Sequence, residues 1–387
     1  MINQLKILYT EQYKTNIAFF FLLSFLFFQP LLKYFEYVLD FPRVNFSIIV
    51  VFLFFLYLLS IHTMIVKYYQ IDLLLSFWLI LFISGIQILS MPWAIHYSMN
   101  GFITFLKVIS TTFFCYWMFW FSGLHIKQIL NSKKAKFVFN IGWIISMLMI
   151  LLNALSNDSF KIILDGSNIY LMLADCYAVL SILVLIYNKK FDIWILLLST
   201  LCLFALLSRA SLYSFIFIST LYMFKEHKIK LLILFFIAIF FMDQLFLIRD
   251  DRMLRLLFGS FDASQSLREK WHLVGLKDIK LTWLFGKFMG DVDSSYGNVG
   301  TYIHSFLSLF RQFGIIVFIS FIALISSYYY KIIKLWLDNS NNKASHINFL
   351  FYFTTFVLIE IIFARSYVHP FIWMSLSSIQ IFNFKNE

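Results

Sequence analysis

Apolar runs of membrane-spanning length follow one another along almost the whole chain, separated by short polar joints, and a single long polar interval interrupts them. Crossing the hydrocarbon core takes about 20 apolar residues in a helix, and by that measure about twelve spans are predicted. They cover approximately 15–34, 46–66, 71–92, 101–121, 137–156, 168–187, 191–207, 210–224, 229–248, 312–330, 347–364 and 369–384. The two spans flanking Arg209 are short and nearly without a loop between them, so they also read as one long broken hairpin. The fold class expected is therefore an all-α integral membrane protein with one large loop, 249–303, at a membrane surface.

That loop has structure of its own in prospect. Asp262 or Ser264 can cap a helix over about 265–278. On it Leu267, Trp271 and Val274 form an apolar stripe, while Arg268 and His272 lie one turn apart on another face. Such a helix is expected to lie in the interface with Trp271 as an anchor. Glycines at Gly286, Gly290, Gly297 and Gly300 suit tight turns. From Tyr302 the pattern turns helical again, placing His304 near the start of the next span and Arg311 two turns further along one side.

Composition narrows the class. Of 387 residues 61% are hydrophobic and 13% charged, with a mean hydropathy of +0.83. Soluble domains carry roughly 25% charged residues, so this chain cannot cover itself with polar surface in water. The net charge of +11 is read as loop lysines that fix orientation rather than as a nucleic-acid surface. Lys127, Lys133, Lys134 and Lys136 fill one loop without an acid, and Lys189 and Lys190, Lys225, Lys228 and Lys230, and Lys331, Lys334 and Lys343 mark three more. With the spans above, all of these fall on one side, together with both termini. The expectation is a multi-pass protein with cytoplasmic termini, with the 249–303 loop, the Arg209 turn and Arg365 facing the other side. Cys115, Cys176 and Cys202 lie inside apolar spans without metal spacing and read as core residues. The first apolar stretch lacks a cleavage pattern and reads as a span rather than a removable signal. No internal repeat of solenoid period is present.

Candidate chemistry is concentrated in cations on the outer side. Arg209, in ALLSRASL, either snorkels from a helix end or binds an anion; an Arg at mid-membrane costs at least ~2.5–3.5 kcal/mol. Arg365, in IIFARSYVHP, is the same kind of signal, with His369 read as opening the last span. Arg268 is held at a fixed height by its helix, and a guanidinium fork matches phosphate oxygens. Arg249, Arg252 and Arg255 alternate with Asp250 and Asp251 as an ion-paired helix start. His304 has the ordinary pKa range of a general base. Lys107, inside an apolar span, is assigned no role. Asp291-Val-Asp293 is a DxD, read as solvated loop carboxylates and not as a metal site. No P-loop, Rossmann fingerprint, HExxH or GxSxG occurs.

Taken together, these features resemble the bacterial O-antigen and capsular repeat-unit polymerases (Wzy-type) and the related O-antigen ligases. The resemblance rests on topology throughout and on short motifs over 208–315: Ser208-Arg209, Arg268-Glu-Lys-Trp271, Leu284-Phe-Gly286, His304-Ser305-Phe-Leu307 and Phe313-Gly314-Ile315. Many relatives carry Gly-x-Gly where this chain has Gly286-Lys287-Phe288. The resemblance implies a GT-C-like bundle in the bacterial inner membrane with a periplasmic loop. It implies glycosyl transfer from undecaprenyl-pyrophosphate-linked oligosaccharides with inversion, using no cofactor, nucleotide sugar or metal. Arg209 and Arg268 would then hold the pyrophosphate, helped by Arg365 or Arg311, and His304 would orient or deprotonate the acceptor hydroxyl. Partners implied are membrane lipid, a flippase and a chain-length regulator. An O-antigen ligase is the alternative within the class, and a polysaccharide flippase or secondary transporter the alternative outside it.

Overall fold

The computed structural model describes residues 2–38, 71–156, 169–230, 263–295, 303, 305–338 and 345–378. Every regular element among them is helical. In chain order these include α1 Ile2–Leu23, α2 Gln29–Val38, α3 Ile71–Leu89, α4 Gly101–Phe113, α5 Phe119–Leu124, α6 Lys133–Leu155, α7 Ile169–Tyr187, α8 Asp192–Ala205, α9 Arg209–Glu226, α10 Ala263–Leu281, α11 Gly290–Ser294, α12 Leu307–Asp338, α13 Ser345–Phe363 and α14 Pro370–Ser378. Among the described residues six helical stretches are long and apolar enough to cross a membrane: Gln12–Leu32, Gly101–Leu124, Lys133–Leu155, Tyr170–Tyr187, Leu307–Asp338 and His346–Phe363. A bent pair, Leu75–Leu89 with Met91–Tyr97, makes seven if it is one span. The chain is thus an all-α, multi-pass membrane protein. The expected spans 46–66 and 229–248 lie outside the described residues, as does the loop over 249–262 and 296–302.

Local sequence accounts for the breaks. The 49° bend after α3 falls just before Pro92, whose missing N–H and bulky ring cannot continue a helix. Pro30 lies inside the first span, and a π-helical turn over Ser24–Phe28 directly precedes it, a common way for a helix to absorb a lost hydrogen bond.

The described helices form two compact units, one drawn from 1–24, 43–135 and 268–387, the other from 25–42 and 136–267. In the first, α14 packs on α5 so closely that a Cβ on Gly123 would lie 2.4 Å from the Met374 carbonyl oxygen. Trp373 on α14 is fully buried, with its ring 4.6 Å from that of Tyr116. Two polar side chains within the bundle pair with hydroxyls, as membrane interiors favour: Trp120 Nε1 donates to Ser76 Oγ at 2.9 Å, and Gln87 Nε2 to Thr112 Oγ1 at 3.0 Å.

In the second unit α7 is the most enclosed span, consistent with its run of apolar residues without a polar face. Trp143 Nε1 of α6 lies within hydrogen-bonding distance of Ser181 and Ser199, at 3.1 and 3.2 Å. The turn between α8 and α9 places Leu207 at φ 56°, followed by an extended Ser208. A bulky residue in the left-handed region is uncommon and costs on the order of 1–3 kcal/mol. This sharp turn makes α8 and α9 two helices, the separated form of the hairpin expected around Arg209.

Candidate functional site

Among the described residues the polar interval is anchored to the membrane bundle beside a break in α12, and that anchor shapes the site. Helix α12 is broken at Gly314, with φ +78° and ψ −177°. An intact helix would bond the Ile315 N–H to the Arg311 carbonyl. Instead Ile315 N–H donates to the Trp283 carbonyl at 2.9 Å, and the Arg311 carbonyl accepts from Lys287 N–H at 2.7 Å. The segment after α10 therefore takes over both partners that the kink releases. Gly286, at φ +73°, makes this approach possible: a Cβ there would lie 2.5 Å from the backbone nitrogens of Phe313 and Gly314. Side chains are excluded at Gly286 and Gly314 by space and by backbone angle together.

Below this crossing Arg311 is only 1% exposed. Its Nε donates to Asp278 Oδ2 at 2.9 Å, and its Nη2 to the same carboxylate, to the Gly290 carbonyl at 2.9 Å and to Ser294 Oγ. Gly275, the buried centre of the α10 face, packs on Ile303 and on the Arg311 stem. Arg311 thus ties α10 and α11 to α12. The apolar residues of α10 divide differently from the expected stripe. Leu267, Leu273 and Leu276 are exposed, whereas Trp271 and Val274 are partly covered beside Gly275. The packing seam follows the small and polar residues, so Trp271 is part of the docked face.

One residue on, Gln312 reaches the other way. Its Oε1 accepts the Met289 N–H at 2.6 Å, and its Nε2 donates to Asp291 Oδ1 at 2.7 Å. Met289 is buried and left-handed, at φ 59°, the kind of local strain that surrounding structure must hold in place. Lys287 bridges to Asp293 at 2.6 Å and lies over the Tyr97 ring. Burial opposes its ammonium, but the hydrogen bond and charge of Asp293, with Asp278 further off, raise its pKa above the ordinary value.

Beside this clamp is a cavity of about 500 Å³. Helix α4 lines it with Lys107, Thr111 and Thr112, the polar interval with Met289 and Asp291, α12 with Gln312, and the segment after α13 with Arg365, Tyr367 and His369. Arg365 is buried, with Nε 3.2 Å from Oε2 of the fully buried Glu360 on α13. The Tyr367 phenol is pushed well above its ordinary pKa, by burial first and then by nearby groups led by the Asp291 carboxylate, so it stays protonated. Two cations and one carboxylate thus face one enclosed space of substrate-pocket size.

The expected site residues fare differently. Arg365 lines the cavity; Arg311 is a brace held by protein groups; Arg268 is half-buried on α10 and is not among the lining residues. His304 lies outside the described residues. Arg209 opens α9 in the second unit, half-buried, directly after Ser208. Ser208 Oγ meets Ser211 Oγ at 2.7 Å, and Ser211 donates to the buried Asp175 on α7 at 2.6 Å. Sequence reasoning passed over Asp175 and Glu360, although an ionisable residue inside a span is a functional signal by default. It also left Lys107 without a role and took Asp291 for a solvated loop residue. Among the described residues no cluster of metal-ligating side chains occurs, and Asp293 turns to Lys287.

Neither the comparison with protein-family models nor that with curated proteins gives a match. The functional reading therefore rests on the cavity and on the sequence pattern.

Proposed function

We propose that the chain is a metal-independent membrane glycosyltransferase that polymerises undecaprenyl-pyrophosphate-linked oligosaccharide repeat units into O-antigen or capsular polysaccharide. What supports the reading is the cavity beside the polar interval, whose lining includes the buried Arg365 and the exposed Lys107 as positive charge. The donor's leaving group carries its own negative charge, so the main catalytic demand is an electrostatic cradle for a pyrophosphate. A guanidinium propped by Glu360 is pre-organised for that task, and an enclosed site strengthens its pull. In this reading Arg365 and Lys107 hold the pyrophosphate, Arg268 contributes as the resemblance implies, and His304 orients the acceptor hydroxyl. The chain then has about twelve spans with both termini cytoplasmic in a bacterial inner membrane. The 249–303 loop is periplasmic, in a GT-C-like bundle, and acts beside a flippase and a chain-length regulator.

The test is reconstitution in proteoliposomes with undecaprenyl-pyrophosphate-linked repeat units. Wild type should give a polymer ladder on a gel, and R365M/E360Q should leave single units. Absence of polymer with wild type would sink the reading. An O-antigen ligase is told apart in cells, because its loss leaves long lipid-linked polymer whereas loss of a polymerase leaves single repeat units. A second reading, a polysaccharide flippase or secondary transporter, draws on Asp175 and Glu360, carboxylates buried within spans of the sort that transport pathways use. It predicts movement of lipid-linked units across the vesicle membrane without polymer.

A further inference from the structure

We propose that Asp291 is the catalytic base that takes the proton of the acceptor hydroxyl, with Gln312 as its positioning residue. This rests on the glycosyl-transfer reading above. Asp291 is the carboxylate among the residues lining the cavity, and it shares that lining with Arg365. Its Oδ1 is fixed by Gln312 Nε2 at 2.7 Å, while the other end of the same amide holds the Met289 N–H at 2.6 Å. Gln312 is 3% exposed, and it stands next to Arg311, whose bonds to Asp278, Gly290 and Ser294 bind the helix carrying Asp291 to α12. Two adjacent residues of α12 thus aim one carboxylate. The left-handed Met289 stands immediately before α11 and lines the cavity with Asp291.

The chemistry needs this pairing. A sugar hydroxyl is a weak nucleophile, and transfer from a pyrophosphate donor asks for negative charge on one side of the anomeric carbon and positive charge on the other. Arg365 and Lys107 are suited to the leaving pyrophosphate and Asp291 to the incoming hydroxyl. In the step, the acceptor oxygen forms a bond to the anomeric carbon as its proton passes to Asp291. The bond from that carbon to the pyrophosphate oxygen breaks, and the electron pair leaves with undecaprenyl pyrophosphate. Atoms and charge balance with no further reactant. The charged and titratable groups that share the cavity lining with Asp291 are Lys107, Arg365, His369 and Tyr367, and the Gln312 amide donates to it.

The experiment measures polymerisation against pH in proteoliposomes for wild type, D291N, D291A, Q312L and H304A, with binding of the lipid-linked repeat unit measured separately by photo-crosslinking. D291N should lose roughly 100-fold or more in turnover while crosslinking stays within about twofold of wild type. The acidic limb of the wild-type profile should be absent from the residual D291N activity. Formate should restore part of the turnover of D291A, a readout that a merely structural carboxylate does not give. Q312L should lower turnover and shift the acidic limb without abolishing rescue of D291A/Q312L. Near-normal turnover in D291N, or an acidic limb that H304A removes and D291N keeps, overturns the assignment to Asp291 while the polymerase reading stands. No polymer from wild type overturns that reading itself.

Discussion

Arg311 and Arg365 are two buried arginines of the same unit, and both were expected at an anion site. Burial does not separate them, at 1% and 7% exposed. What separates them is the surrounding donors and acceptors. Arg311 meets a carboxylate, a carbonyl and a hydroxyl supplied by the protein, so its charge is spent on holding α10 and α11 to α12. Arg365 pairs with Glu360 and lines a cavity. A buried guanidinium enclosed by protein acceptors organises the chain. One that also lines open volume can meet a ligand there. Sequence offers both as an Arg near a helix end, and only neighbours distant in the chain distinguish them.

Substitutions can break that distinction. The largest effect is expected from R311A, which strands Asp278 and removes the bonds to Gly290 and Ser294; losing one partner of a buried pair costs about 3–5 kcal/mol. Thermal melting in detergent should fall sharply, and R311M/D278L, which removes both charges, should recover much of it. If R311A melts like wild type, Arg311 is no brace. R365M/E360Q is the counterpart. With both charges gone no carboxylate is left stranded, so melting should stay close to wild type. Polymerisation in proteoliposomes should nevertheless drop about 100-fold, roughly 2.7 kcal/mol of transition-state binding. Loss of stability with retained activity would reverse the roles of the two arginines.

The anchor between the two regions gives a third test. At Gly314 a Cβ would lie 2.2 Å from the Leu284 carbonyl oxygen, and φ is +78°. G314A should cost about 1–3 kcal/mol from the backbone angle alone. It should also raise protease cleavage within 281–287 in vesicles; unchanged cleavage would mean that the segment is not pinned there. The smallest effect belongs to K287M, because the Lys287–Asp293 pair is partly exposed and such pairs contribute about 0–1 kcal/mol. Its folded pKa is raised, so its contribution is complete below the unfolded value and is lost only as pH climbs through the higher folded one. The melting difference between wild type and K287M should therefore stay flat from about pH 6 to pH 9. A difference that changes across that window would overturn this assignment.

Much of the architecture was legible because a span must be apolar over its whole length, and that requirement is local. The stretches expected at 101–121, 137–156, 168–187 and 347–364 coincide with helical stretches within a few residues, 312–330 falls inside the longer, kinked Leu307–Asp338, and the helix expected over 265–278 exists as Ala263–Leu281. Pro92 announced the bend after α3 for an equally local reason. The docked face of α10 was less legible, because Gly275 and Asp278 make its seam while leucines stay outside. A hydrophobic stripe is a poor guide to packing when lipid is available to cover it.

By itself, then, the sequence determined a multi-pass helical membrane protein, with most of its charged residues gathered outside the apolar runs. It also supplied Arg365 as a candidate ligand of an anion. The tertiary structure decided the rest. It joined Gly286 to Gly314, spent Arg311 on Asp278, turned Asp291 from a loop carboxylate into a cavity wall, and gave Lys107 neighbours. Hydropathy along a chain reports the solvent each residue needs, which is a property of short windows. Whether a polar side chain is satisfied or available depends on the few atoms within hydrogen-bonding reach, and here those come from residues tens of positions away.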